Sequence, residues 1–212
     1  MTFLEIKNLA YGADKTTLID DLSFNLQAGE RLLIRGQNGV GKSTLLRVLL
    51  GQIKPISGTV KLMIQRERIA YLPQLQNTEF HISLTLSDVL AFSSKTFSNK
   101  KNIDTDQVEK IGLLKNSDLN KAWNTASGGE RQKVLLTRVF LQDVDLIILD
   151  EPMNHLDEKA KDRVKQLIAA FVSKKDQRSM IIVCHEPIEN HDIASDDLLF
   201  RTLVLQQKVQ YG

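Results

Sequence analysis

The sequence predicts an α/β fold: a mostly parallel sheet, preceded by an antiparallel β region and interrupted by an inserted α-helical subdomain. Three observations carry that prediction. Leu146-Ile147-Ile148-Leu149 and Met180-Ile181-Ile182-Val183 are continuous apolar runs, the pattern of parallel strands covered on both faces. Between them Asp157 caps a segment whose apolar positions, Ala160, Val164, Leu167, Ile168, Phe171 and Val172, follow helical spacing. A third apolar run, Leu32-Leu33-Ile34, leads through a glycine-rich turn into Thr44-Leu45-Leu46-Arg47-Val48-Leu49-Leu50, giving another strand, turn and helix.

The remaining elements follow in chain order. Residues 3–9 and Leu22-Ser23-Phe24-Asn25-Leu26 read as strands, the second with period-2 alternation, and turn residues lie at Asn8 to Asp14 and at Ala28-Gly29. The helix after the glycine-rich turn runs from Lys42 to Leu50 and stops at Gly51, a favourable residue just past a helix end. Thr59 to Leu62 and Arg68 to Leu72 are short strands, the latter closed by Pro73. From Leu75 to Leu141 the pattern changes to helices and polar connections, with caps at Thr85 and Asp104, a polar loop from Ser93 to Asn102, and a helix opening near Ser127. Phe80, Ile82, Leu84 and Leu86 read as core of that subdomain, or in part as the lining of a groove for a partner's helix. Leu203-Val204-Leu205 is the last strand. The chain reads as one domain, 1–212, in which 1–74 and 142–212 form the core and 75–141 the helical subdomain.

Composition narrows the possibilities. At 212 residues the chain can build one sizeable core with a satellite. Charge is nearly balanced at +2, without a basic block, which argues against a dedicated nucleic-acid binder. A single cysteine, Cys184, excludes a disulfide framework and is read as core packing. The longest apolar run, Leu167 to Val172, falls far short of the ~20 residues needed to span a bilayer. The start Met1-Thr2-Phe3-Leu4-Glu5 lacks the features of a signal peptide, so a cytoplasmic chain is expected, with any membrane role supplied by a partner.

Three motifs carry chemistry. Gly36-Gln37-Asn38-Gly39-Val40-Gly41-Lys42-Ser43 fits the G-x-x-x-x-G-K-[ST] pattern, placed between a strand and a helix as that pattern requires. Its glycines let backbone N–H groups point at a polyphosphate, and the helix start adds unsatisfied N–H groups and the positive end of its dipole. Lys42 is placed to reach the β- and γ-phosphates and Ser43 to ligate Mg²⁺. The chain is therefore expected to bind a nucleoside triphosphate on a P-loop NTPase core. Next, the strand ending in Asp150-Glu151 puts two carboxylates at the carboxyl edge of the sheet, where such sheets bind ligands. Asp150 can hold Mg²⁺, while Glu151 can polarise a water for in-line attack. Finally, Ser127 and Glu130 form a capping box around Gly128 and Gly129. Two glycines in a first helical turn cost about 1 kcal/mol each relative to alanine, which suggests close approach of a phosphate. One triphosphate cannot reach both glycine-rich sites in a compact chain, so the second is expected to serve another subunit.

Together these residues resemble the ATP-binding subunit of an ABC transporter, over essentially the whole chain. The order is Gly36 to Thr44, then Gln74 in Tyr71-Leu72-Pro73-Gln74, the signature Ser127-Gly128-Gly129-Glu130, Asp150-Glu151, Asn154-His155-Leu156-Asp157, and His185 after the last long apolar strand. The resemblance implies ATP and Mg²⁺ as ligands and a head-to-tail dimer, of like or identical chains, with two ATPs. Each ATP lies between one subunit's Gly36, Asn38, Gly39, Gly41, Lys42, Ser43 and Thr44 and the other's Ser127, Gly128, Gly129 and Glu130. It also implies that Tyr11 stacks on adenine, that Gln74 senses Mg²⁺ and an integral-membrane permease, and that His185 contacts the γ-phosphate and the attacking water. Such a subunit sits peripherally on the inner face of the cell membrane. Ala126, Glu130 and Met153 stand where the family usually has leucine, glutamine and threonine. The segment Arg68 to Gln74 and Gly128-Gly129-Glu130 resemble zinc/manganese-type importer ATPases, although His81 stands where that group often shows proline. Exporter ATPases share much of the pattern. Glu151-Pro152 followed by Asn154 to Asp157 resembles ribosome-associated ABC ATPases of translation, which usually carry two cassettes and a charged linker that this chain lacks.

Overall fold

A strand buried on both faces must offer alternate residues to two different layers, and the central sheet of the computed structural model is built on that rule. The structure describes residues 1–13, 16–74, 81–91, 104–171, 178–184 and 200–206. The sheet contains β3 (Arg31–Arg35), β5 (Ile69–Leu72), β6 (Leu146–Asp150), β7 (Ser179–Cys184) and β8 (Arg201–Val204), all parallel, in the order β5-β6-β7-β3-β8. Ile147, Leu149, Met180 and Ile182 face a layer formed by α4 (Gly128–Phe140) and α5 (Glu158–Phe171), with Leu136, Val139, Val164 and Ile168 opposite them. Leu146, Ile148, Ile181 and Val183 face the other way, toward Leu45, Leu46 and Leu49 of α1 (Lys42–Leu49). Each such side chain removed from water contributes about 1.5–3 kcal/mol. The unbroken apolar runs are the sequence form of this two-sided burial.

The antiparallel layer is larger than the sequence suggests. β1 (Thr2–Ala13) and β2 (Thr16–Gln27) are both 12 residues long and pair antiparallel, and β4 (Ser57–Leu62) joins the other edge of β1. The turn expected from Asn8 is instead a bulge inside a continuous strand. Asn8 takes a positive φ of 46° and its amide donates to Asp21, itself at φ 58°, so these two residues absorb the register shift that bends the ribbon over the core.

In the helical part, Thr85 and Asp88 cap α2 (Leu86–Ala91) reciprocally, and Asp104 accepts from the backbone N–H groups of Asp106 and Gln107 at the start of α3 (Thr105–Ile111). Leu86, Leu90, Val108, Leu119, Trp123 and Val134 form a third core cluster, to which α4 contributes from its outer face. Leu84 packs there too, whereas Ile82 is 65% exposed; Phe80 and the Ser93–Asn102 loop lie outside the described residues. At the far end of the sheet Arg68 donates to both Asp145 oxygens, tying β5 to β6 away from the site. Among the described residues no helix is long and apolar enough to cross a membrane.

Candidate functional site

The carboxyl ends of β3, β5, β6 and β7 meet at one edge of the sheet, and the motif residues gather there. After Arg35 the chain turns through Gly36–Gly41 and enters α1 at Lys42. Gly39 and Gly41 have φ of 77° and 102°, a region that residues with a Cβ rarely adopt, so these two glycines make the loop's curl possible. Gly36 serves a different purpose. Its φ is not positive, but a Cβ there would lie 2.7 Å from Val40 and 2.9 Å from the Leu205 carbonyl, so what it provides is room against the end of β8. A cavity of about 460 Å³ opens on this side of the loop, lined by Gly36, Gln37, Asn38, Val40, Val204 and Leu205.

Lys42 is 5% exposed, yet its ammonium is not abandoned in the interior. It donates to the carbonyls of Gly36 at 2.8 Å and Gln37 at 3.1 Å, which holds the charge directly beneath the loop. Ser43 and Thr44 follow in the first turn of α1, both half-buried.

Asp150, the last residue of β6, is 1% exposed, and neither carboxylate oxygen has a hydrogen-bond partner of full geometry. Burial pushes its pKa up, and the charge of Glu151 pushes the same way. The Ser43 hydroxyl, Lys42 and the backbone N–H of Gln74 lie close enough to pull it down. A buried carboxylate with open lone pairs, set beside a hydroxyl at the mouth of a phosphate-binding loop, is a donor set that suits Mg²⁺. Glu151 leaves the strand in the left-handed region, φ 51°, while its N–H still donates to the Val183 carbonyl at 3.0 Å. That backbone state is uncommon for a residue with a side chain and concentrates at functional positions. The Glu151 carboxylate accepts from the Gln74 side-chain amide at 3.1 Å and from the Asn154 amide at 2.5 Å. Gln74 thus touches both acids, Glu151 by its side chain and Asp150 by its backbone.

Ser127 accepts from the Glu130 N–H at 3.2 Å, and the Glu130 carboxylate accepts from the Ser127 N–H at 2.7 Å, closing the expected capping box. Lys121 adds a bidentate ion pair at 2.8 and 2.9 Å and, with the cap, brings the Glu130 pKa down to about 2. Gly129 has an additional reason within the chain. A Cβ on Gly129 would lie 2.7 Å from the His155 carbonyl, whereas one on Gly128 would make only ordinary contact with the His155 ring. The helix therefore needs bare backbone at Gly129 to seat against the 151–157 segment, a packing role that the spacing alone did not reveal.

Tyr11 departs from the expectation of an adenine platform. Its ring is 0% exposed, packed beneath Gly41 among the side chains of the α1 layer, so neither face is open to a base. Its hydroxyl is buried without a partner, and burial raises its pKa well above the ordinary phenol value. Because β1 continues to Ala13, Tyr11 pairs with Ile19 inside the sheet rather than projecting from a loop. Cys184 packs in the core as expected, and burial pushes its thiol up to about 12. His185 lies outside the described residues. Two residues that bond to the Glu151 turn received no individual role from the sequence: Asn154, which donates to the Glu151 carboxylate, and Gln132 of α4, whose side-chain amide donates to the Pro152 carbonyl. Gln132 could have been found as a polar residue in the buried helical stripe shared with Leu136 and Val139.

The chain is similar to known proteins over most of its length. The family model described as ABC transporter matches residues 19–154. A metal transport system ATP-binding protein of Thermotoga maritima is 32% identical over 190 residues, covering 88% of this chain and 76% of that one. The zinc import ATP-binding protein ZnuC of Ehrlichia chaffeensis is 36% identical over 170 residues, covering 80% and 69%. Among solved structures, an inward-facing metal-chelate type ABC transporter superposes with a TM-score of 0.75 at 27% identity, covering 98% of this chain and 81% of that chain.

Proposed function

The chain belongs to the ABC transporter family of ATP-binding proteins, which bind ATP with Mg²⁺ and hydrolyse it, and from that premise we propose that it energises import of a divalent metal ion through a separate integral-membrane permease. The observation that carries the chemical part of this reading is the pair at the end of β6: a buried carboxylate with open lone pairs beside Ser43, followed by a left-handed Glu151 held by two amides. The metal-import part rests on the likeness to zinc and metal transport ATPases.

In this reading Gly36, Asn38, Gly39, Gly41, Lys42, Ser43 and Thr44 bind the phosphates, with Lys42 releasing the Gly36 and Gln37 carbonyls to meet them. Asp150, Ser43 and Gln74 would hold Mg²⁺, which would supply positive charge to offset that of the phosphates. Glu151 orients and polarises the attacking water, and His185 assists at the γ-phosphate. Gln74, bonded to Glu151, relays contact with the permease to that carboxylate. Ser127, Gly128, Gly129 and Glu130 close over the γ-phosphate of a second like subunit, so that hydrolysis requires a dimer in the ATP state. Residues 75–141 act as the permease-facing subdomain and 1–74 with 142–212 as the ATP-binding core. The exposed Ile82, next to the third core cluster, supports a docking surface there. The chain works at the cytoplasmic face of the membrane.

Two measurements test this. Purified from its native membranes through a tag, the chain should bring with it an identified integral-membrane permease; recovery with ribosomes instead would overturn the transport assignment. Loss of the gene should lower Zn²⁺ or Mn²⁺ uptake, restored by the wild-type chain and not by Glu151→Gln. Unchanged uptake of both metals would overturn the substrate class.

A further inference from the structure

The strained turn at Glu151 is held from two sides, and one of them is the helix that begins with the signature. Upstream, the Glu151 N–H is anchored to the Val183 carbonyl of β7 at 3.0 Å. Downstream comes Pro152, which has no N–H to offer, so its carbonyl is the backbone group by which that residue can be gripped. Gln132 grips it: the side-chain amide donates to the Pro152 carbonyl at 3.1 Å in a buried environment. Gln132 is 1% exposed and occupies the core stripe of α4, where an aliphatic side chain would pack without polar atoms to satisfy. Its other amide atom, Oε1, is buried with no partner, which destabilises the fold. A residue that weakens packing at one end while making a specific contact at the other has its reason in that contact. Two further contacts fasten the same helix to the same segment: Gly129 lies under the His155 carbonyl, and Lys133 pairs with Asp157 at 2.7 Å.

We propose that Gln132 is a positioning residue for Glu151: through the Pro152 carbonyl it fixes the left-handed turn that aims the carboxylate, so that the signature end of α4 and the Glu151 of the same chain move as one body. The inference rests on the reading of Glu151 as the residue that acts on water. Gln132 is buried and bonded to the Pro152 carbonyl, so its effect passes through Glu151. Whatever docks against Ser127 and Gly129 therefore acts on the chain's own carboxylate as well as on the phosphate it contacts.

The test is a double-mutant cycle on the full chain, reading kcat and KM for ATP together with melting temperature. Gln132→Met keeps the volume and removes both polar atoms. It should lower kcat roughly 10- to 100-fold, the effect of a small misplacement of a reacting group, with KM changed by less than about twofold and no fall in melting temperature. In the Glu151→Gln background the same substitution should cost nothing further, because the group it positions has already lost its function. Gln132→Leu is the second probe if the methionine does not pack. Equal losses in both backgrounds, an effect confined to KM, or an unchanged kcat would overturn the proposal, as would failure of both variants to fold. If Glu151→Gln itself hydrolyses ATP normally, the reading of Glu151 has failed instead, and the two failures are told apart.

Discussion

Asp150→Asn should make the nucleotide-free protein more stable while removing its response to Mg²⁺-ATP. Asp150 is a buried carboxylate lacking a full hydrogen bond, and its pKa is raised, chiefly by burial. A carboxyl whose folded pKa lies above its unfolded value favours folding most in its protonated form. Its contribution is present in full below the unfolded pKa and is lost as pH rises through the folded one, so at neutral pH the charge works against the fold. An unsatisfied buried polar group costs about 1–3 kcal/mol and a charged one more, so the neutral amide of asparagine sheds only the excess due to the charge. The Ser43 hydroxyl and Lys42 offset part of this, which puts the gain from asparagine at about 1–2 kcal/mol. For a chain of this length each kcal/mol moves the melting temperature about 2–4 °C, so an upward shift of roughly 2–8 °C is expected. The difference from wild type should shrink as pH falls and Asp150 protonates. Wild type should gain about 2.7 kcal/mol when Mg²⁺-ATP reaches 100 times its Kd, whereas the variant should gain little. Melting curves at pH 5 and 7.5, with and without Mg²⁺-ATP, read all of this. A variant that melts lower than wild type without nucleotide and responds fully to Mg²⁺-ATP would refute the reasoning.

Lys42→Ala should remove most ATP binding, because the loop's N–H groups cannot replace the ammonium's charge-assisted contacts; near-native affinity by calorimetry would count against the assignment. Ser127→Arg should keep ATP binding and abolish hydrolysis and ATP-driven dimerisation. If Ser127 is only the cap seen in the structure, the variant should instead lose about 1 kcal/mol of stability and keep its turnover. Glu130 is held at about 2 against an ordinary 4.5 by Lys121 and the Ser127 backbone, so its contribution is complete above pH 4.5 and disappears as pH falls toward 2. The side chain is 34% exposed, so solvent limits that contribution to ~1 kcal/mol, and Glu130→Gln should flatten this part of the acid-melting profile.

How far the sequence was legible depended on whether a pattern had a single physical cause. The runs at 146–149 and 180–183 have the pattern typical of strands covered on both faces, and the α/β class followed. The glycine-rich loop declared itself through its place between β3 and α1. Asn8 was ambiguous because a turn and a bulge draw on the same residue types, and only its bond to Asp21 separates them. Tyr11 misled because its surroundings depend on how far β1 extends, which pairing across the ribbon decides. At Gly36 and Gly129 part of the need for glycine comes from the Leu205 and His155 carbonyls that a Cβ would meet, and these lie far away in sequence. Gln132 and Asn154 bond to groups on the Glu151 turn, and that turn's left-handed backbone leaves no local trace beyond a proline.

The most direct measurement of the account is the behaviour of Glu151→Gln in ATP. Glutamine keeps the shape and can preserve contact with Gln74 and Asn154, but cannot take a proton, so turnover should fall roughly 10²–10⁴-fold. Mg²⁺ and ATP binding should survive, since Asp150 is untouched. The unhydrolysed γ-phosphate should then hold two subunits together, and size exclusion in Mg²⁺-ATP should show a stable dimer that reverts to the smaller species when nucleotide is removed. A Glu151→Gln protein that hydrolyses ATP at the wild-type rate and elutes unchanged in ATP would contradict both the assignment of the carboxylate and the two-subunit site.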